Sequence, residues 1–462
     1  MNGIENDCDM ANLDKIKYYP DRFYIGLDGF DLRKLFDVSQ DFTLTLQQAV
    51  FMHEYFHYLT NLSTFQGVRS FHAAFCDMFR LVCRLTEKAG ISAFPVNGNH
   101  LESCAYDVGY WNSLNEIFKE DNVNAKLSDE VKHSQNGKFS VRGIVTELGD
   151  KIIMIKDGQE ICGQREFVRI NVDGLPFTSS FRLSLGALDE FLSASVDEFI
   201  FEHNLADNKA IIDVQPYYPY RSFDEILHYY GLRLDSRCKI LIVYYALHGK
   251  NPAVQLRDIL ECIKDEGQNV FEVAPCQFLS TRFEFFTGYD DLINEIDKFV
   301  KEADGHGRKL TSKLVAYYLD RIITAQALLK KDPYFFVRPF LVDDLDNVAR
   351  RQDFILAFDR IRTCFPEPVI LQDKIFAPLT QYNYGADLTV IGLAIYEIMD
   401  SLETNQVAKR MQRAKELYDF PDGVENCDDI LTFDAAPLKA FWHKALNELG
   451  LYQFYRDNVS LT

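Results

Sequence analysis

The stretch Thr45-Leu46-Gln47-Gln48-Ala49-Val50-Phe51-Met52-His53-Glu54-Tyr55-Phe56-His57-Tyr58-Leu59 decides how this chain is read. Thr45 followed three positions later by Gln48 is a capping-box pattern: the threonine hydroxyl accepts the backbone N–H of Gln48, whose side chain accepts in return from Thr45. No proline follows before Gln66-Gly67, where glycine offers a stop, so the pattern predicts a helix over 46–66. On such a helix His53 and His57 lie four positions apart on one face and can grip a single metal ion. Glu54 sits beside them, placed to take a proton from water.

The same helix is apolar on nearly every side, with Leu46, Ala49, Val50, Phe51, Met52, Tyr55, Phe56, Tyr58, Leu59 and Leu62 leaving little room for a solvated face. A helix of that kind is buried. Two imidazoles and a carboxylate buried there must be satisfied, and one metal ion with its water satisfies all three together. The bland alternative is a pair of core histidines bonded to backbone carbonyls.

A third protein ligand is required. The extended pattern HExxHxxGxxH fails, because Thr60 stands at the glycine position and Ser63 at the third histidine. The leading candidate is Glu190, an acid inside the apolar stretch 185–194 that opens a second predicted helix running toward Phe201 and His203. Glu198 on that helix and His72 beyond Gly67 compete for the role, as do Asp189 and Glu202. Asp197, seven residues after Glu190 and on the same helical face, is placed to accept a hydrogen bond from a ligand histidine or to serve as an ordinary surface acid.

On His53-Glu54-x-x-His57 and the later Asp189-Glu190-Phe191-Leu192-Ser193-Ala194 segment, the chain resembles the gluzincin branch of the HExxH metallopeptidases, whose third ligand is a glutamate on a later helix. The resemblance covers the two ligand helices only. It implies a zincin-like metal-binding core in which His53, His57 and Glu190 hold Zn2+ and Glu54 is the general base. Two departures stand out: residues 58–189 form a far longer connection than in simple gluzincins, and Phe191 replaces the usual glycine after the glutamate.

Composition bounds the remainder. With 462 residues, 47% of them hydrophobic, the chain can bury a large core. A net charge of −20 argues against nonspecific binding to nucleic acid or anionic membrane, both of which require clustered basic surface. Met1-Asn2-Gly3-Ile4-Glu5-Asn6-Asp7 has neither a basic region nor an apolar signal core, and no apolar run is long enough to cross a bilayer of about 30 Å. The ten cysteines lack CxxC spacing, which suits reduced thiols and a cytoplasmic location.

The expected fold is α+β and predominantly α-helical. Residues 1–90 would form the first part of the metal-binding core, 91–181 a β-rich insertion, 182–265 the helical part carrying the third ligand, and 266–462 a C-terminal helical domain. A short strand at 23–27 is expected to edge a small sheet above the cleft. The insertion shows strand patterns at 138–145, 151–155 and 167–172. Later helices are expected at 223–232, 236–247, 253–267, 290–303, 310–330, 344–364, 388–402 and 437–449.

The functional expectation is a zinc-dependent hydrolase, foremost a protease acting on a protein or peptide substrate, with no nucleic-acid or membrane partner. The alternative is a catalytically inactive zincin-fold interaction or scaffold protein. A narrower expectation is an effector cleaving one intracellular protein. For the donor that would face a developing oxyanion, His203, His228, the group 217–220 and Tyr382-Asn383-Tyr384 are all available, and the sequence singles out none.

Overall fold

The computed structural model describes residues 16–19, 24–27, 39–77, 79–80, 138–156, 159–175, 179–215, 217–365, 369–372 and 375–377. Two short strands, β1 (Ile16–Tyr19) and β2 (Tyr24–Leu27), precede α1 (Leu46–Ser63) and α2 (Phe65–Phe71). The capping box at the start of α1 is formed in full: Gln48 N–H donates to Thr45 Oγ1 at 3.2 Å and Thr45 N–H to Gln48 Oε1 at 2.8 Å.

The helix stops three residues earlier than the glycine suggests. Thr64 adopts an extended backbone, closes α1 by donating to the Thr60 carbonyl, and caps α2 through its own hydroxyl. Gly67 serves the crossing instead, since a Cβ there would meet the Asn61 carbonyl oxygen at 2.4 Å.

A long hairpin, β3 (Ser140–Lys156) and β4 (Gln159–Asp173), follows, with β5 (Ser180–Arg182) antiparallel to the end of β4. The two strand patterns at 138–145 and 151–155 belong to one strand, joined across an irregularity between Leu148 and Lys151. Hairpin backbone continuity overrides the polar Glu147-Leu148-Gly149-Asp150 break.

The helix α3 (Leu185–Glu202) is N-capped by Ser184 and packs along α1. After it come α4 (Lys209–Val214), a distorted turn over Tyr217–Arg221, α5 (Ser222–Tyr230), α6 (Ser236–Leu247), α7 (Pro252–Glu266), α8 (Gln268–Val273), α9 (Pro275–Arg282), α10 (Asp290–Gly305), α11 (Lys309–Lys331) and α12 (Val348–Cys364). The predicted helices at 388–402 and 437–449 lie outside the described residues.

Later elements close over α1 rather than standing apart from it. Tyr55 donates to the Phe365 carbonyl at 2.5 Å, Phe56 packs on Phe340 and Phe358, and Tyr289 donates to the Ser63 carbonyl at 3.1 Å. A second sheet has the order β1-β2-β6-β7, with β6 (Val369–Gln372) and β7 (Ile375–Ala377). The strand expected at an edge is therefore interior: β2 pairs antiparallel with β1 and parallel with β6, a neighbour supplied from far along the chain. The described structure is mainly helical with two small sheets. Among the described residues no helix is long and apolar enough to cross a membrane.

Candidate metal centre

The crossing of α1 and α3 brings His53, His57 and Glu190 together. Their ligand atoms lie within 4.8 Å of one another, and among the described residues they form the group suited to hold a metal ion. Glu190 Oε2 stands 3.7 Å from His53 Nε2 and 3.5 Å from His57 Nε2. These separations are too long for strong hydrogen bonds but close to the ~3.3 Å edge of a tetrahedron with bonds of about 2.0–2.1 Å. Glu190 Oε2 is also buried without a hydrogen-bond partner. An orphaned carboxylate oxygen facing two imidazole nitrogens fits a cation between them.

Each histidine is fixed from behind. His53 Nδ1 bonds Asp197 Oδ2 at 2.9 Å, and Asp197 in turn accepts from Gln215 Nε2 at 2.7 Å. His57 Nδ1 bonds Asp189 Oδ2 at 2.7 Å, while Thr60 Oγ1 donates to Asp189 Oδ1 at 2.7 Å. A carboxylate on Nδ1 makes that nitrogen the protonated donor and turns the Nε2 lone pair toward the shared space. The helical period explains the arrangement: Glu190 and Asp197, seven residues apart, share one face of α3, and Asp189 points about 100° to the side, behind His57.

The charges are unbalanced toward acid. Burial works against a charged His53, yet Asp197, Glu190 and Glu54 outweigh it and raise its pKa to about 10. His57 is likewise raised against burial by Asp189 and Glu190. Burial would raise Glu190, but His57 and His53 pull it below the usual carboxylate range. The cluster thus demands positive charge, which protons on the imidazoles or a metal cation can supply.

Glu54 is buried beside His53, where its charge bears on both His53 and Tyr220. The Tyr220 ring lies 6.0 Å from that of His53. The negative charge of Glu190, then burial, then Glu54 and Asp197 hold the phenol protonated, its pKa well above 10. A protonated phenol beside the candidate ligands is available as a hydrogen-bond donor. The side chain of Glu190 is 25% exposed, so the cluster is reachable from solvent.

The competing ligands are engaged elsewhere. Glu198 pairs with Lys239 at 2.8 Å and Glu202 accepts from Ser236. His72 begins a wide turn after α2, outside the ligand group. His228 is exposed on α5, and His203 packs against Phe199 with burial lowering its pKa. Tyr382 and Tyr384 lie outside the described residues. Thr60 and Gln215 carry no sequence signal of their own roles, and Tyr220 stands within the group 217–220 that the sequence offers as a donor without singling it out. Asp189 is foreshadowed only by adjacency to Glu190.

No protein-family profile, curated protein or solved structure matches this chain.

Proposed function

We propose that this chain is a zinc-dependent hydrolase, foremost a protease with a protein or peptide substrate. The observation that carries the reading is the convergence of His53 Nε2, His57 Nε2 and the partnerless Glu190 Oε2, with Glu54 next in sequence to a ligand. Two imidazoles and one carboxylate are a donor set suited to zinc with a position left open. When bound there, zinc supplies a Lewis acid that polarises a carbonyl and makes water acidic enough to ionise near neutral pH.

The chain's own groups complete the chemistry. Asp197 and Asp189 hold the two rings in register. Glu54 takes the proton from water as it attacks the carbonyl carbon and returns it to the leaving amine. Tyr220 donates to the carbonyl oxygen as negative charge develops on it. A bystander site that merely holds metal has no use for Glu54, which favours hydrolysis over a scaffold. Cys76, Cys238, Cys262, Cys276 and Cys364 are free thiols, in keeping with a cytoplasmic setting.

The test is elemental analysis of protein purified without added metal or chelator, followed by digestion of unstructured casein and a quenched peptide library. Wild type should carry about one zinc per chain, the expectation for a three-ligand site. Glu54→Gln should keep the zinc and lose hydrolysis. A Glu54→Gln protein that still cleaves would overturn the role of Glu54. Wild type that neither carries nor takes up zinc would overturn the reading as a whole.

A further inference from the structure

The turn Tyr217–Arg221 joins two parts of the molecule that the sequence keeps separate. On one side Tyr220 lies against His53, and Gln215, just before the turn, donates to Asp197, which holds His53. On the other side the same turn is seated on the root of the three-stranded sheet. Tyr217 packs edge-on against Phe139 with centroids 5.3 Å apart, and Tyr218 against Phe181 at 5.2 Å. Phe139 and Phe181 themselves meet at 5.8 Å, closing the bracket.

The backbone explains why neighbouring tyrosines go opposite ways. Tyr218 has an extended conformation (φ −105°, ψ 134°) inside an otherwise helical turn, which separates the side chain that enters the sheet from the one that reaches the metal cluster. Tyr218 is only 2% exposed, and Phe139 and Phe181 are buried as well. Beyond Tyr220, Ser222 Oγ donates to the Pro219 carbonyl at 2.5 Å and Arg221 to the Ile212 carbonyl at 2.5 Å. Those two bonds are local, reaching only the turn itself and the preceding α4. The turn also packs along α3 and α5, where Tyr217 donates to Glu225, and its ties to the sheet are the aromatic ones.

We propose that Phe139, Phe181, Tyr217 and Tyr218 form a positioning bracket through which the β-rich insertion holds Tyr220 over the metal centre. The sheet is then a working part of the site rather than an appendage. The proposal rests on the assignment of the metal cluster. It adds that the phenol's placement depends on aromatic rings in another element, none of which touches a ligand. An edge-to-face pair of this kind adds only modestly to what burial contributes, so loosening one ring frees the turn without dissolving the fold.

The experiment uses the full chain loaded with Co2+ and titrated with acetohydroxamate, following the visible spectrum of the metal. A hydroxamate offers a carbonyl oxygen that a donor phenol beside the cluster would hydrogen-bond, as it would a substrate oxyanion. Tyr220→Phe should bind the probe about 10-fold more weakly, the worth of one such hydrogen bond, at unchanged cobalt content. Phe181→Ala should show a similar loss, and Phe181→Leu a smaller one. The double variant Phe181→Ala/Tyr220→Phe should be no weaker than Tyr220→Phe alone, because both remove the same interaction. Phe278→Ala, a buried ring in α9, controls for general loosening and should leave the affinity unchanged.

Independent, additive losses in the double variant would overturn the bracket, as would an effect of Phe181→Ala no larger than that of Phe278→Ala. No effect of Tyr220→Phe would remove the phenol from the site and the bracket with it, while leaving the metal cluster standing. If Phe181→Ala does not fold, Phe181→Leu decides by the same criterion of non-additivity. Failure of wild type to bind cobalt would instead strike the metal assignment on which the proposal rests.

Discussion

Two regions of the molecule bury histidine and treat it in opposite ways. At the end of α6, His248 is fully buried, stacked on Phe285 at 4.4 Å, with Nδ1 bonded to the Tyr244 carbonyl at 2.9 Å and Nε2 left without a partner. Burial alone prevails there and lowers its pKa to about 4. At the crossing of α1 and α3, His53 is also buried yet raised to about 10, because Asp197, Glu190 and Glu54 outweigh the burial. The difference separates a core histidine, kept neutral by burial and held by one backbone bond, from a cluster whose acids favour positive charge.

Removing the acid at the centre should break that comparison most severely. Glu190→Ala takes away the proposed third ligand, and with it roughly a third of a binding free energy that for structural zinc sites runs to about 12 kcal/mol, hence about 4 kcal/mol or 1,000-fold in affinity. Competition against a chelating dye measures it. Retention of near wild-type affinity would mean that the third ligand lies elsewhere.

The pH dependence of stability sharpens the contrast next. A folded pKa lowered to about 4 for His248 means that its contribution is fully present above about 6.5 and is lost as pH falls toward 4. That loss amounts to about 3 kcal/mol for this shift. His53 has the opposite sign: its contribution is present below about 6.5 and lost as pH rises toward 10. Metal-free protein should therefore be most stable near pH 6.5 as far as these groups decide. His248→Phe should flatten the acid limb, whereas loading with metal should remove the alkaline limb and steepen the acid one, since the ion needs both imidazoles deprotonated and is displaced by protons as pH falls. Urea denaturation across pH 4–10 reads both. An acid limb unchanged in His248→Phe would assign it to other groups.

How much of this was legible in the sequence depends on the range of each interaction. The capping box, the placement of His53 and His57 on one helix, and the helix carrying Glu190 were legible because they depend on contacts three or four residues apart. The parallel pairing of β2 with β6 was not, because Ile25 and Ile370 are brought together only by the packing of everything between them. Tyr220 was hidden among many tyrosines for a related reason. Only the extended backbone at Tyr218 separates the ring that enters the sheet from the one that meets His53. Asp189 was read as a rival ligand to Glu190, whereas adjacent residues on a helix point about 100° apart, so one reaches the metal space and the other the back of His57.

The two histidines also differ from each other, and the smallest predicted effects test that difference. Asp197, behind His53, has a side chain 3% exposed and is held by Gln215, whereas Asp189, behind His57, is 22% exposed and held by Thr60. Asparagine at either position keeps an acceptor oxygen for the ring and removes only the charge. Loss of such a partner weakens metal binding by roughly 10- to 100-fold, and the sealed Asp197→Asn should fall at the upper end and the solvated Asp189→Asn at the lower. Thr60→Val, nearly isosteric, removes a single hydroxyl bond to Asp189 worth about 1 kcal/mol and should cost about 5-fold. Chelator competition on the three variants gives the order directly. If Asp189→Asn proved the more damaging, charge rather than burial at the open side would govern the centre, and His57 would be the histidine that sets its affinity.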